Sequence, residues 1–475
     1  MINTLIVRLD LRGMTVLTVM KLQPENIPRE ISRGRVTVAV IGLGWMGLPI
    51  ACLFAEAGAK VIGADINRKL VEKINKAEVP IDEPKLPQLL TKHVKSGRLK
   101  ATDNIEKAVS TSGVTVITVP TLIDERRQAD YSVLEAACRD VGKGLLPRSL
   151  VIVMSTVAPN IIEGRVRPVL EKYSGLVAGE DFGLAYSPIR AMAGRTLRDI
   201  QEYKKVVGGL DQPSLKAASA VLSTIAKAGI IETSNIKTAE ASKIFEAVYR
   251  DLNIALANEL ALYCERAGID YYEAMEAANT QPYSHLHLPG IGVGGHCLPL
   301  YPHMLRTEAE ALGMRLRLVR LGRRINDEMP KHVSRLAASG LRQVGRTLTR
   351  ANITILGISY RANVKETRYS PTLELINILK RRGSRITVYD PKFLYSEIKA
   401  MGYDCEATLE ASISNAECII ITVGHDEFRK LDPKTLAAHT SRDCVLVDAA
   451  GIMQPKDVEA AGMIYRGVGR GVWTR

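Results

Sequence analysis

The seven cysteines, at positions 52, 138, 264, 297, 405, 418 and 444, are scattered, odd in number and without a CxxC pair. That lack excludes a disulfide framework and a cysteine-rich zinc module, and it makes a reducing cytoplasm the expected compartment. Aromatic residues are few, 5% of the chain, and none interleave with a basic run, so no stacking platform for single-stranded nucleic acid is expected. Acidic residues fall short of basic ones, 51 against 64, leaving a formal charge of +13. Such a balance suits nucleic acid, a membrane surface or an anionic small molecule. The densest basic segment, RLRLVRLGRR at 315–324, alternates with leucines. It reads as a solvated helix face or a subunit contact, and no nucleic-acid partner is expected.

Long uncharged runs are also scarce. One, VTVAVIGLGWMGLPIACLFA at 36–55, has 20 residues without a charge, enough to cross a bilayer. Its interior argues otherwise, because β-branched VTVAV gives way to a glycine turn and then to Pro49, the grammar of a strand, a turn and a helix start. No membrane span is expected. Residues 1–35 read as an unassigned extension. Its apolar run, Met14 to Met20, lacks the pattern of a signal peptide, and Met14 and Met20 read as candidate alternative starts.

The chain is otherwise ordinary in composition, 46% hydrophobic and 24% charged over 475 residues, which implies a folded protein of two to four domains at roughly 100–200 residues each. VTVAVI runs into Gly42-Leu43-Gly44-Trp45-Met46-Gly47, then into a helical run and a second strand, KVIGAD, ending at Asp65. This is the dinucleotide fingerprint in its required context: glycines for the turn, for close approach of a pyrophosphate and for helix packing. Asp65 can accept hydrogen bonds from the adenosine ribose and favours NAD over NADP; Arg68 nearby pulls the other way. Strands at 114–119 and 149–156 follow, separated by helical stretches, so the sheet is parallel with ligand at the strands' carboxyl ends. Pro120, Thr121, Ser155 and Thr156 lie at such ends, where their hydroxyls reach ligand or merely close turns.

From Thr238 a helical pattern continues for about 30 residues, longer than one domain needs. It joins two domains, and either packs against its twin in a dimer or serves as a connector. Lys243, Arg250, Asn253 and Glu259 are polar positions along it. The last third repeats the opening grammar without GxGxxG: a strand and loop at 351–368, a helix and strand ending at Asp390, and two further strands. Its loop carries Arg361, Lys365 and Arg368, suited to an anionic diphosphate or simply exposed. The fold class expected is α/β, two Rossmann-like doubly wound domains joined by a long central helix. The boundaries expected are 36–210, 211–327 and 328–475. Between the two α/β domains lies LHLPGIGVGGHCLPLYPH at 286–303, four glycines before a His-Cys pair in a stretch crowded with histidine. It is a metal site, a reactive nucleophile or a turn without chemistry. His285, His287, His296, Cys297 and His303 are ligand types, but HxH and HC pairs lack the spacing of familiar zinc sites, and no metal is expected.

Taken in order, GVGGHCLP (292–299), YRDLNIALANELALYCERAGID (249–270), STVAPN (155–160), YRANVKETRYSP (360–371) and ITVYDP (386–391) resemble the UDP-glucose/GDP-mannose dehydrogenase family, in its UDP-N-acetylhexosamine branch, from about residue 36 to the end. The resemblance implies oxidation of a UDP-sugar C6 alcohol to the carboxylate with two NAD+, in a cytoplasmic homodimer or higher oligomer serving polysaccharide biosynthesis. UDP-N-acetylmannosamine is the favoured substrate, UDP-N-acetylglucosamine or UDP-glucose the alternatives. Cys297 would carry a thiohemiacetal and then a thioester, Lys243 would stabilise the oxyanion, and Thr156 would help hold the water. Arg361 and Arg368 would face UDP, with Tyr360, Arg250, Asn253, His287, His296 and glycines 290, 294 and 295 completing the substrate site. Three positions depart from the family pattern: Ile189 where a water-handling Glu is usual, Ala247 for Asn, and Tyr301 for Asp. Isoleucine is no base and alanine no donor, so a catalytically impaired nucleotide-sugar-binding protein is the further alternative.

Overall fold

A computed structural model describes residues 16–473 apart from 82, 125, 126 and 193. The chain divides into two compact units. One runs to Glu246 and takes in His303–Glu308, and the other comprises Ala247–Pro302 and Ala309–Arg475. The chain passes between them within a 32-residue helix, Ile236–Ala267, at the place where the apolar spacing predicts one.

The first unit is built on strands β1 (Thr37–Ile41), β2 (Lys60–Ala64), β3 (Leu99–Thr102), β4 (Val114–Ile117), β7 (Leu150–Val153), β8 (Gly183–Tyr186), β9 (Lys205–Gly209) and β10 (Ile230–Glu232), with a small hairpin of β5 (Leu122–Ile123) and β6 (Ala129–Asp130) beside them. The sheet order is β10-β9-β8-β7-β4-β1-β2-β3. All neighbours are parallel except β8 and β9. The uncharged run at 36–55 is β1, a glycine turn and the helix Gly47–Glu56, buried at nine of its ten residues. No helix of the described residues is long and apolar enough to cross a membrane. The segment after Thr15 is part of this unit rather than an appendage: Val19, Ile27 and Ile31 are fully buried in its core. Met14 and Thr15 lie outside the described residues.

The second unit carries an all-parallel sheet, β12-β11-β13-β14-β15, formed by β11 (Asn352–Leu356), β12 (Arg385–Tyr389), β13 (Cys418–Ile421), β14 (Val445–Asp448) and β15 (Ile464–Gly467). In each sheet the chain order reverses beside the first strand, between β1 and β4 and between β11 and β13, the crevice where open α/β sheets take ligands. The basic segment at 315–324 enters the helix Arg317–Gln343. It is not uniformly solvated, because Arg323 is 4% exposed and ion-paired with Asp251.

Candidate active site residues in two nucleotide-binding units

In the first unit the glycines have separable reasons. Gly42 sits at φ +88°, and a Cβ on Gly47 would lie 1.8 Å from the Gly42 carbonyl oxygen. Around Gly44 there is open space, where a pyrophosphate can meet bare backbone at the start of the helix that Trp45 and Met46 lead into. The Asp65 carboxylate accepts from the backbone N–H of Leu43 at 2.8 Å and of Asn67 at 2.9 Å, so the residue assigned to the ribose is held by the glycine loop itself. Arg68 is turned to Asp103 at 2.9 Å. These residues fit NAD: an open glycine turn at a helix start and a fixed, half-exposed carboxylate.

The carboxyl ends of β4 and β7 are stitched together. Thr121 Oγ1 donates to the Thr156 carbonyl at 2.6 Å, and Ser155 Oγ to that of Val119 at 2.6 Å. Sequence reasoning missed Glu240. This buried carboxylate on the long helix accepts from the N–H of Asn160 at 2.7 Å and of Ile162 at 2.8 Å, and it ties the STVAPN loop to the helix that bears Lys243 one turn on. Burial, chiefly, pushes it up to about 7. Lys243 is 9% exposed, and Ile189 and Ala247 are buried.

In the second unit the nucleotide grammar is repeated with different capping. Gly357, at φ +98°, donates to Tyr389 O at 2.8 Å as Gly42 does to Ala64 O. Thr422 Oγ1 reaches the carbonyls of Leu356 and Gly357 as Thr118 Oγ1 reaches those of Ile41 and Gly42. Asp390, the counterpart of Asp65, is 1% exposed. It accepts from the N–H groups of Ile358 (2.8 Å) and Ser359 (3.1 Å) and bonds His425 at 3.2 Å.

At the carboxyl end of this sheet is a cavity of about 180 Å³, lined among others by Gly290, Gly292, Tyr360, Arg361 and Gly424. The glycine loop is packed onto the cationic loop. Gly295 N donates to Arg368 O at 3.0 Å. A Cβ on Gly294 would lie 2.7 Å from Tyr369 O, and one on Gly295 2.6 Å from the Tyr360 ring. His296 Nε2 bonds Glu366 at 3.0 Å and its Nδ1 faces Arg368 Nη1 at 3.3 Å. Burial raises the Glu366 carboxyl, but the bonds from His296 and the Arg368 N–H outweigh it and hold the group below its ordinary range. His287 is pushed down by burial, His285 and Arg250, which brings Arg250 into the neighbourhood of this loop. Asn253 Nδ2 donates to Tyr249 O at 2.7 Å on its own helix. Tyr301 is buried and its N–H donates to the Cys297 carbonyl at 2.9 Å. Among the described residues no three His, Cys, Asp or Glu side chains converge as a metal site.

Three domains of the UDP-glucose/GDP-mannose dehydrogenase family match the chain in order: the NAD binding domain at 36–226, the central domain at 237–328 and the UDP binding domain at 354–455. The chain belongs to this family. A UDP-N-acetyl-D-mannosamine dehydrogenase of Pyrococcus horikoshii is 35% identical over 91% of this chain and 99% of that protein. The solved structure of a UDP-D-ManNAc dehydrogenase from Pyrococcus horikoshii superposes with a TM-score of 0.84 at 34% identity, covering 92% of this chain and 100% of that one. An NDP-N-acetyl-D-galactosaminuronic acid dehydrogenase from Methanosarcina mazei gives 0.82 at 30% identity, covering 97% and 99%. The protein is thus an NAD-dependent nucleotide-sugar dehydrogenase with the family's α/β fold, NAD binding in the first unit and a UDP binding domain in the second.

Proposed function

We propose that this dehydrogenase oxidises the C6 alcohol of a UDP-N-acetylhexosamine, UDP-N-acetylmannosamine first, to the uronic acid through a covalent intermediate on Cys297. The observation that carries the reading is that Cys297 is the one cysteine of seven that is not buried, and it stands in a glycine loop hydrogen-bonded to the cationic loop of the UDP binding domain. Burial raises the thiols of the other six, which marks them as packing residues.

NAD+, when bound, accepts a hydride from C6 in each of two oxidations. The chain's part is to hold and trap. Arg361 and Arg368 neutralise the diphosphate, Tyr360, His287 and His296 border the sugar with Arg250 and Asn253, and Gly290 leaves backbone free at the cavity wall. Cys297 adds to the aldehyde as a thiohemiacetal, which the second oxidation converts to a thioester. Lys243 stabilises the oxyanion, and Thr156 helps to hold the hydrolytic water. Domains at 36–210, 211–327 and 328–475 carry these roles. A homodimer built on the long helix, located in the cytoplasm and supplying uronic acids for polysaccharide, completes the reading. The P. horikoshii relative supports the mannosamine substrate and the M. mazei structure a galactosaminuronate.

The test is NADH formed per UDP-sugar consumed, on UDP-N-acetylmannosamine, UDP-N-acetylglucosamine and UDP-glucose: about two for full oxidation. Cys297→Ser should abolish acid formation, and unchanged turnover would exclude covalent catalysis. Buried, apolar Ile189 and Ala247 favour a second reading, a protein that binds nucleotide sugar without completing the oxidation. Retained UDP-sugar binding with no NADH would establish it.

A further inference from the structure

Asn258 lies on the long helix Ile236–Ala267, in the part that belongs to the second unit. Its side chain is buried, as are those of Asn326 and Asp251, and the three form one line with Gly290 of the glycine loop. Gly290 N donates to Asn258 Oδ1 at 2.9 Å, and Asn258 Nδ2 donates to Asn326 Oδ1 at 2.9 Å. Asn326 Nδ2 in turn donates to the carbonyl oxygen and to Oδ1 of Asp251, both at 2.9 Å. The two ends fix the direction of the whole line. A backbone N–H can only donate and a carbonyl can only accept, so neither amide can turn over without setting oxygen against oxygen or N–H against N–H. Asp251 is held by Arg323, which also pairs with Asp327 at 2.6 Å. Burial pushes the Asp251 carboxyl up to about 6, which leaves it mostly ionised, and so an acceptor, at neutral pH.

The residues next to Gly290 are seated on the same pair of helices. Ile291 packs in the core with Ala257 and Met329. Gly292, at φ +124°, brings bare backbone against Asn326: a Cβ there would lie 2.7 Å from the Asn326 carbonyl oxygen. Pro330, four residues on in the helix Arg317–Gln343, has no N–H to give that carbonyl. Gly290, Ile291 and Gly292 all line the cavity beside Tyr360 and Arg361. Every residue of this arrangement lies in the second unit.

We propose that Asn258 is a positioning residue of the nucleotide-sugar site: its amide, oriented by Asn326 and Asp251, holds Gly290 and so sets the wall of the cavity that receives the UDP group. The inference rests on the reading of that cavity as the nucleotide site. Gly290 and Gly292 have no side chains with which to anchor themselves, and the two helices supply the anchor. Reversing one amide strands a buried polar group, which costs the desolvation of that group, and the loop relieves it by moving Gly290 out of place.

The experiment is titration calorimetry of the full-length protein with UDP and, in separate runs, with NAD. Asn258→Asp keeps the size and shape of the side chain but exchanges its donor for an acceptor, so that two oxygens meet at Asn326. It is expected to weaken UDP binding about tenfold or more. NAD binding should stay within about twofold of the unmodified protein, as for a distant, independent site. The UDP penalty, taken relative to the unmodified protein at each pH, should shrink as pH falls from about 8 to about 6.5, because a buried carboxyl without a counter-charge titrates high. Once protonated, the substituted carboxyl can donate to Asn326 Oδ1 as the amide did, and a mere packing defect would show no such recovery. A second measurement needs no variant to fold: in the unmodified, ligand-free protein the Gly290 amide should exchange its hydrogen at least about a hundredfold more slowly than an unbonded amide. UDP binding by the variant within about twofold of the unmodified protein, loss of NAD binding along with that of UDP, a penalty independent of pH, or a Gly290 amide that exchanges as an unbonded one would each overturn the proposal. Failure of the unmodified protein to bind UDP would instead sink the reading of the cavity on which it rests.

Discussion

Asp65 and Asp390 occupy the same place in two copies of one design, each at the end of the second strand of its unit, and they do different work. Asp65 keeps a half-exposed carboxylate braced by two backbone N–H groups. Asp390 is buried under His425 and Ser359 and has no face left for a ribose. His425 Nδ1 accepts the Asn363 N–H at 2.9 Å, so Nε2 carries the proton toward Asp390, and Asp426 N donates back to Asn363 Oδ1 at 3.1 Å. The pair clamps, from beneath, the loop that carries Arg361. His425→Leu should raise KM for the UDP-sugar about tenfold, the cost of one or two hydrogen bonds at roughly 1 kcal/mol each. The values of kcat and of KM for NAD should hold. His425→Gln, which can accept from Asn363 and donate to Asp390, should restore it; an unchanged KM in the Leu variant would show that the loop stands without its clamp. The clamp was not legible in the sequence. It depends on which strands and loops become neighbours, and no local pattern encodes that.

At the scale of elements, what could be read was whatever announces itself locally. β-branched runs such as TVAVI and NITIL became strands β1 and β11, and the apolar spacing from Thr238 became the long helix. Strands β3, β8, β9, β10 and β15 passed unread: they are three to five residues long, and Gly183, Gly208, Gly209 and Gly467 dilute their pattern. The glycine loop was legible as a site but not in its reason. Gly294 and Gly295 make room for Tyr360 and the Tyr369 backbone, whereas Gly290 and Gly292 line the cavity. Gly295→Ala should therefore act through both backbone and packing. At φ +92° it brings about 1–2 kcal/mol of left-handed strain and drives the Tyr360 ring aside. A lower Tm together with weaker UDP binding is the expected result. Weaker binding without any loss of Tm would mean that the glycine serves the ligand alone.

At the scale of the whole molecule, the order of three family domains was readable, and the place of the compact division was not, because it falls inside a continuous helix. Along that helix Tyr249, Leu256 and Tyr263 recur every seven residues and are 57%, 44% and 63% exposed. Such a stripe suits a two-fold contact with a second copy. Replacing Tyr249 and Tyr263 by lysine should shift the sedimenting species toward monomer, and an unchanged assembly would place the interface elsewhere. The central claim is that one thiol carries the sugar between two oxidations in a site that still hydrolyses its thioester despite Ile189, Ala247 and Tyr301. Stoichiometry under multiple turnover tests it most directly. The account predicts about two NADH and one uronic acid per UDP-N-acetylmannosamine consumed, with both products lost in Cys297→Ser. One NADH and free aldehyde, or acid formation that survives loss of the thiol, would contradict it.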